Sequence, residues 1–251
     1  MSEASGVPAR SRFGATLRRD AWWVEILPVV LVLGAFTVYA TLRAFEGRYY
    51  EWGPYLSPFY SPLIDPEHRW WPLSPALLIL IFPLGFRATC YYYRKAYYRA
   101  FFLDPPACAV GEGRRGYRGE TAFPLVLQNV HRFFLYAALL FLVVLWYDAI
   151  RSFLFEDGFG VGVGSILLTL NVALLTLYTF SCHSLRHLVG GGTDCFSCSA
   201  GGRARHGLWK WTTTLNERHM LYAWMSLVSV AVADLYVREL ARGTIRDIRL
   251  L

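Results

Sequence analysis

The stretch NVHRFFLYAALLFLVVLWYDAIR, residues 129–151, decides the fold. From Phe133 to Tyr147 it carries no charged side chain. At about 1.5 Å of rise per residue the whole stretch 129–151 crosses the roughly 30 Å hydrocarbon layer of a bilayer as one helix. A soluble core helix has no need of an apolar run this long. The two ends of the stretch differ, with His131 and Arg132 at one and Asp148 and Arg151 at the other.

Four more runs of similar character lie at about 22–43, 74–98, 164–188 and 219–238. The whole chain has 251 residues, 55% of them hydrophobic and 17% aromatic, with a mean hydropathy of +0.32. This excludes an ordinary soluble globule. The expected fold is an all-α membrane protein: an N-terminal segment, 1–21, followed by a five-helix transmembrane domain, 22–251. In the second span Pro83 and Gly85 are expected to kink the helix. The polar first twenty residues, followed by a span-length run, predict an uncleaved anchor rather than a signal peptide.

The net charge of +7 falls mostly between the apolar runs, so it speaks for orientation and not for nucleic acid. Arg10, Arg12, Arg18 and Arg19, then Arg94, Lys95, Arg99, Arg114, Arg115 and Arg118, then Arg186, Arg203, Arg205, Lys210 and Arg218 mark three segments on one side. The opposite connections, 45–72 and 152–163, are acidic or neutral, which places the N-terminus in the cytoplasm. The C-terminal arginines 238, 242, 246 and 249 oppose that assignment, and the three segments outvote them. The 45–72 connection, rich in Pro, Tyr and Trp, is expected to form an ordered cap on the outer side.

With this topology, Cys and His gather at one depth. Cys90 precedes Arg94 on the second helix, His131 opens the third, Cys182, His183 and His187 close the fourth, and His219 opens the fifth. His183 and His187, four apart, share a helix face. The ordinary reading of any one is a packed thiol or an interfacial imidazole; the group together points to a redox metal site, because such side chains are costly inside a membrane. Haem b needs one His from each of two facing helices, His131 or His219 opposite His183 or His187. A Rieske-type [2Fe–2S] cluster needs two Cys and two His, which Cys90, Cys182, His183 and His187 supply. The cluster is preferred because haem would leave both cysteines idle. Cys108 and His219 stand as substitute ligands. Cys195 and Cys198, a lone C-x-x-C with His206 nearby, read as a loop zinc site, a labile dithiol or neither, and cysteines on a cytoplasmic side argue against structural disulfides.

Asp148 and Asp234 share the outer level near Arg151 and Arg238, and read either as interfacial ion pairs or as a proton path. Near the inner side Arg94, Tyr97, Gln128 and Arg132 offer hydrogen bonds to a quinone carbonyl, while arginines there also suit lipid headgroups.

FRATCYYYRKAYYRAFF (86–102), PPACAV (105–110), GETAFPLVLQNVHRFFLYAAL (119–139), LYTFSCHSLRH (177–187) and NERHMLYAWMSLVSVAVADLYVR (216–238) resemble the membrane anchor subunit of actinobacterial-type succinate dehydrogenase, a respiratory complex II. The resemblance covers most of the chain from about 75 onward. It implies a multi-pass anchor in the bacterial plasma membrane, partnered by flavoprotein and iron-sulfur subunits, with higher oligomers of the complex allowed, that passes electrons to menaquinone. It also implies a Rieske-type centre in place of haem, carried here onto Cys90, Cys182, His183 and His187; His131 is a further candidate metal ligand on its depth alone. The segment TDCFSCSAGGRARH (193–206) departs from the family pattern. Two other readings stand beside this one: a transporter lined by Asp148, Asp234 and Arg87, and a purely structural anchor without cofactor.

Overall fold

In the computed structural model the described residues are 12–64, 72–112, 121, 123, 125–198 and 200–251. Part of the expected cap, 65–71, most of the N-terminal segment, 1–11, and the arginines at 114, 115 and 118 lie outside them.

Among the described residues, four helices are long and apolar enough to cross a membrane: Trp22–Glu46, Val126–Arg151, Val163–Phe180 and His219–Ala241. A broken pair, Ala76–Ala88 and Tyr91–Phe102, makes five if it counts as one span. Their exposed Leu, Val, Ile and Phe side chains suit lipid, where an apolar surface carries no penalty.

The second expected span is not one helix. It consists of α2 (Ala76–Ile79), α3 (Ile81–Ala88) and α4 (Tyr91–Tyr97). Pro83 sits in the first turn of α3, where its missing N–H costs nothing, and the discontinuity falls at Leu80 because Pro83 can neither bond to Ile79 nor clear its carbonyl. Gly85 is a place of close approach: a Cβ there would stand 2.2 Å from the Phe134 ring. Helix α1 spans Leu27–Glu46 and α5 spans His131–Arg151. The fourth expected span also ends early. Helix α6 covers Val163–Phe180, and a separate α7 covers His183–Gly190. The connection that follows α7 holds an unexpected helix, α8 (Gly202–Asn216), before α9 (His219–Ala241).

The chain divides into two compact units, Met1–Thr37 with Ala88–Asn129 and Val38–Arg87 with Val130–Leu251. In the first, the strand-like tail is tied to the 108–111 segment by Gly14 N–H to Gly111 O and Gly111 N–H to Ala15 O, both 2.9 Å. Arg18 donates to Cys108 O at 3.0 Å and pairs with Asp20.

The second unit packs α5, α6 and α9 side by side. Leu142, Ala149 and Val172 fill one seam, and Leu168, Ala233, Val237 and Leu240 another. One end of this unit is a polar cap. A short hairpin, β1 (Glu51–Trp52) and β2 (Tyr55–Leu56), leads to a tight turn, Pro58–Tyr60, and Tyr55, Ser57, Phe59 and Tyr60 are buried. The cap thus reaches into the bundle instead of lying flat on it. At its centre Arg43 Nε donates to Asp234 Oδ2 at 2.8 Å, with both side chains almost wholly buried. Tyr39 and Ser57 also donate to Asp234, and Arg43 reaches Glu46 at 2.6 Å.

Three of the four C-terminal arginines that opposed the expected topology have acidic partners at this same end: Arg238 with Glu46 and Glu239, Arg242 with Glu239, and Arg249 with Asp157. The tail continues as a strap along a second hairpin, β3 (Leu154–Phe155) and β4 (Gly158–Phe159), with Leu250 N–H bonded to Val161 O at 2.7 Å and Val161 N–H to Leu251 O at 3.1 Å. Burial, then Asp247, pushes the Tyr55 phenol up to about 12, so it stays protonated and donates to Asp247 Oδ2 at 2.6 Å.

Candidate functional site

Opposite the polar cap, the second unit brings together the start of α5, the end of α6 and the start of α9. His131 is buried, and its Nε2 lies 3.2 Å from Cys182 Sγ. Cys182 is only 1% exposed. Half-buried His219 hydrogen-bonds through Nδ1 to Ser181 Oγ at 2.7 Å.

Each imidazole is held by an aromatic ring. Phe86 stacks on His131 at 4.7 Å between centroids, Tyr178 stacks on His219 at 5.1 Å, and Phe86 and Tyr178 meet edge to face at 5.4 Å. Arg87 lies over the Tyr178 ring at 4.7 Å and donates to Ser226 Oγ and Ala223 O on α9. It therefore brings a positive charge among these rings and is anchored to α9, not set along a path with Asp148 and Asp234.

Both buried cysteines occupy the same kind of position. Cys182 is extended (φ −65°, ψ 136°) immediately before α7, and Cys90, in the first unit and also buried, is extended (φ −64°, ψ 129°) immediately before α4. A break of this kind turns a side chain that would follow the helix face into one fixed at the junction. It also reorients what comes next: His183 and His187, expected to share a helix face and to join Cys182 as ligands, are exposed on α7 with their Nε2 atoms 2.9 Å apart. Partial burial, then His187 and Arg186, holds the His183 imidazole below its ordinary pKa. His131 and His219, expected as further ligand candidates, are buried and half-buried at this end, and the helix break leaves His183 and His187 exposed. Among the described residues, no group of three or more His, Cys, Asp or Glu side chains is arranged to hold a metal ion. The fit to a metal centre is one of donor type, burial and common level.

In the first unit Tyr97 donates to Ala88 O at 3.0 Å and Arg94 lies over the Tyr91 ring at 4.4 Å. Gln128 Oε1 is buried without a hydrogen-bond partner among the described residues. Arg132 is exposed with its guanidinium over Phe133, an arrangement that suits a headgroup. Cys108 is exposed.

At the other end of the second unit Asp148 accepts from Ser61 and Asp234 from Ser57, Tyr39 and Arg43. The two acids thus grip opposite ends of the Pro58–Tyr60 turn. Arg151 sits on Tyr147 and Arg238 on Glu46; the buried ion pair is made by Arg43, which the sequence reading did not single out. Cys195 and Cys198, read as a loop zinc site, a labile dithiol or neither, form a disulfide.

A family model described as actinobacterial succinate dehydrogenase subunit SdhC matches residues 24–243. Among solved structures the chain is similar to one in the Mycobacterium smegmatis Sdh1 complex in the apo form, 44% identical with a TM-score of 0.84, covering 100% of this chain and 98% of that one. No curated protein matches the chain. Its apolar helices and this membership make it a multi-pass protein of the bacterial plasma membrane. The chain belongs to the family of actinobacterial succinate dehydrogenase SdhC subunits and is a non-catalytic membrane subunit of that complex.

Proposed function

We propose that this chain anchors the flavoprotein and iron-sulfur subunits of succinate dehydrogenase to the bilayer and passes electrons from the latter to menaquinone through a metal centre at the level of His131, Cys182 and His219. The observation that carries the reading is Cys182 buried at a helix junction against the ligating nitrogen of His131. A mixed nitrogen and sulfur donor set favours a Rieske-type [2Fe–2S] cluster over haem b, whose ligands would be the two histidines alone.

Bound there, such a cluster would supply reversible one-electron transfer. The chain's own residues do the rest. Ser181 orients the His219 ring through Nδ1, as an outer partner does for a ligating imidazole. Phe86 and Tyr178 exclude water from both imidazoles, and the fixed charge of Arg87 favours the electron-rich state of whatever lies beside it. For quinone, Gln128 Oε1 is an acceptor suited to a quinol hydroxyl, with Arg94 as a donor to a carbonyl; Tyr97 would donate there only on releasing Ala88 O. The exposed Arg203, Lys210 and Arg218 on and beside α8 offer a basic face to the iron-sulfur subunit.

The test is to prepare the complex with and without this chain and compare two acceptors. Succinate oxidation with a soluble dye should persist without the chain, while menaquinone reduction should require it. Menaquinone reduction at an undiminished rate by the two soluble subunits alone would overturn the proposal.

A further inference from the structure

We propose that Cys195 and Cys198 form a reversible thiol–disulfide exchange site at the same end of the second unit as His131 and Cys182, taking dithiols and their disulfides as partners. Both residues are exposed, their Cα atoms are 5.4 Å apart, and they are bonded. The bridge spans a sequence separation of three, so it restricts the unfolded chain far less than a long-range disulfide does. Other contacts hold the segment. Arg205 donates to Val189 O and Gly191 O at 2.5 Å each and to Thr193 Oγ1, and Phe196 lies 5.2 Å from the His206 ring and 6.3 Å from Trp209. The sulfurs are therefore presented on a frame that stands without them. The Ser197 hydroxyl, 3.3 Å from Cys195 Sγ, is placed to donate to a thiolate leaving there. The basic segments predict a cytoplasmic setting, where exposed bridges are catalytic or sensing more often than structural.

In reduction, a thiolate of the partner dithiol attacks Cys198 Sγ, forming a mixed disulfide and breaking the Cys195–Cys198 bond. Cys195 leaves as thiolate and takes a proton. The partner's second thiol then attacks the mixed disulfide, releasing Cys198 as thiol, and the partner departs as its own disulfide with two electrons transferred. Oxidation by a disulfide runs the same steps in reverse. The state of the bridge reaches α7 through Phe196 and Trp209. Trp209 packs so closely on Gly190 that a Cβ there would stand 2.2 Å from its ring, and Arg186 lies over it at 5.1 Å.

The test uses membranes carrying the assembled complex, equilibrated with reduced or oxidised dithiothreitol, acid-quenched, and labelled with a polyethylene-glycol maleimide after denaturation. Reduction should add two labels to the constant contribution of Cys90, Cys108 and Cys182, reoxidation should remove them, and C195S or C198S should abolish the change. Equal labelling in both conditions, or reduction only after the complex is unfolded, would overturn the proposal. Amide exchange across 183–191 should be faster in the reduced protein and in C195S; identical exchange in both states would refute the link to α7.

Discussion

His131 Nε2 and Cys182 Sγ stand 3.2 Å apart, although 51 residues separate them in sequence. The contact exists because α6 stops at Phe180 and the chain turns through Ser181 and Cys182 before α7 begins. Cys182→Ser keeps the volume and a weak hydrogen-bonding group but loses the soft donor. The substituted complex should assemble and keep dye-linked succinate oxidation. Its content of iron and acid-labile sulfide should fall by that of one centre, which elemental analysis of the purified complex measures.

Asp234→Asn leaves Arg43 charged and buried with its main partner gone. Removing one side of a buried pair costs about 3–5 kcal/mol, so the complex should unfold at a clearly lower temperature in detergent. A combined Arg43→Met, Asp234→Leu variant should recover most of that loss, because apolar replacement of both partners removes the stranded charge. A single variant as stable as the parent would mean that Ser57 and Tyr39, and not the ion pair, hold the cap.

A methyl group at Gly85 has no room beside Phe134. Gly85→Ala should destabilise by about 1–3 kcal/mol through overpacking, and Phe134→Leu in the same chain should restore thermal stability.

The spans were legible because a charge-free run such as 133–147 has one physical use, and the depth of His131, Cys182 and His219 followed from it. The breaks at Thr89–Cys90 and Ser181–Cys182 were not legible. Neither has a proline or glycine, both neighbourhoods are compatible with helix, and tertiary packing overrides that propensity. That is why His183 and His187, expected on the continuation of one helix, are found exposed on a separate one. Arg43 and Asp234, 191 residues apart, cannot be paired from sequence. Helix α8 was hidden behind the glycines at 190–192 and 201–202.

The strap at the C-terminus should be sensitive to acid. Arg249 holds the Asp157 carboxyl below the ordinary carboxylate range. A carboxylate whose folded pKa is depressed adds stability above its unfolded value, about 3.9, and that contribution is lost as pH falls through the lower folded value. Amide exchange at Val161 and Leu250, corrected for intrinsic rates, should therefore show more frequent opening near pH 3 than at pH 6, and Asp157→Asn should open more often at pH 6 already. The pair is exposed, so a change confined to the strap is expected, with the bundle unaffected.

The most direct measurement is low-temperature EPR of the succinate-reduced complex in three variants, His131→Ala, His219→Ala and the double His183→Ala, His187→Ala. The account predicts a Rieske-type signal in the parent that disappears in each of the first two and survives in the third. A signal lost in the third and retained in the first two would contradict it, as would a parent complex with no such signal and a Soret band that shifts on reduction.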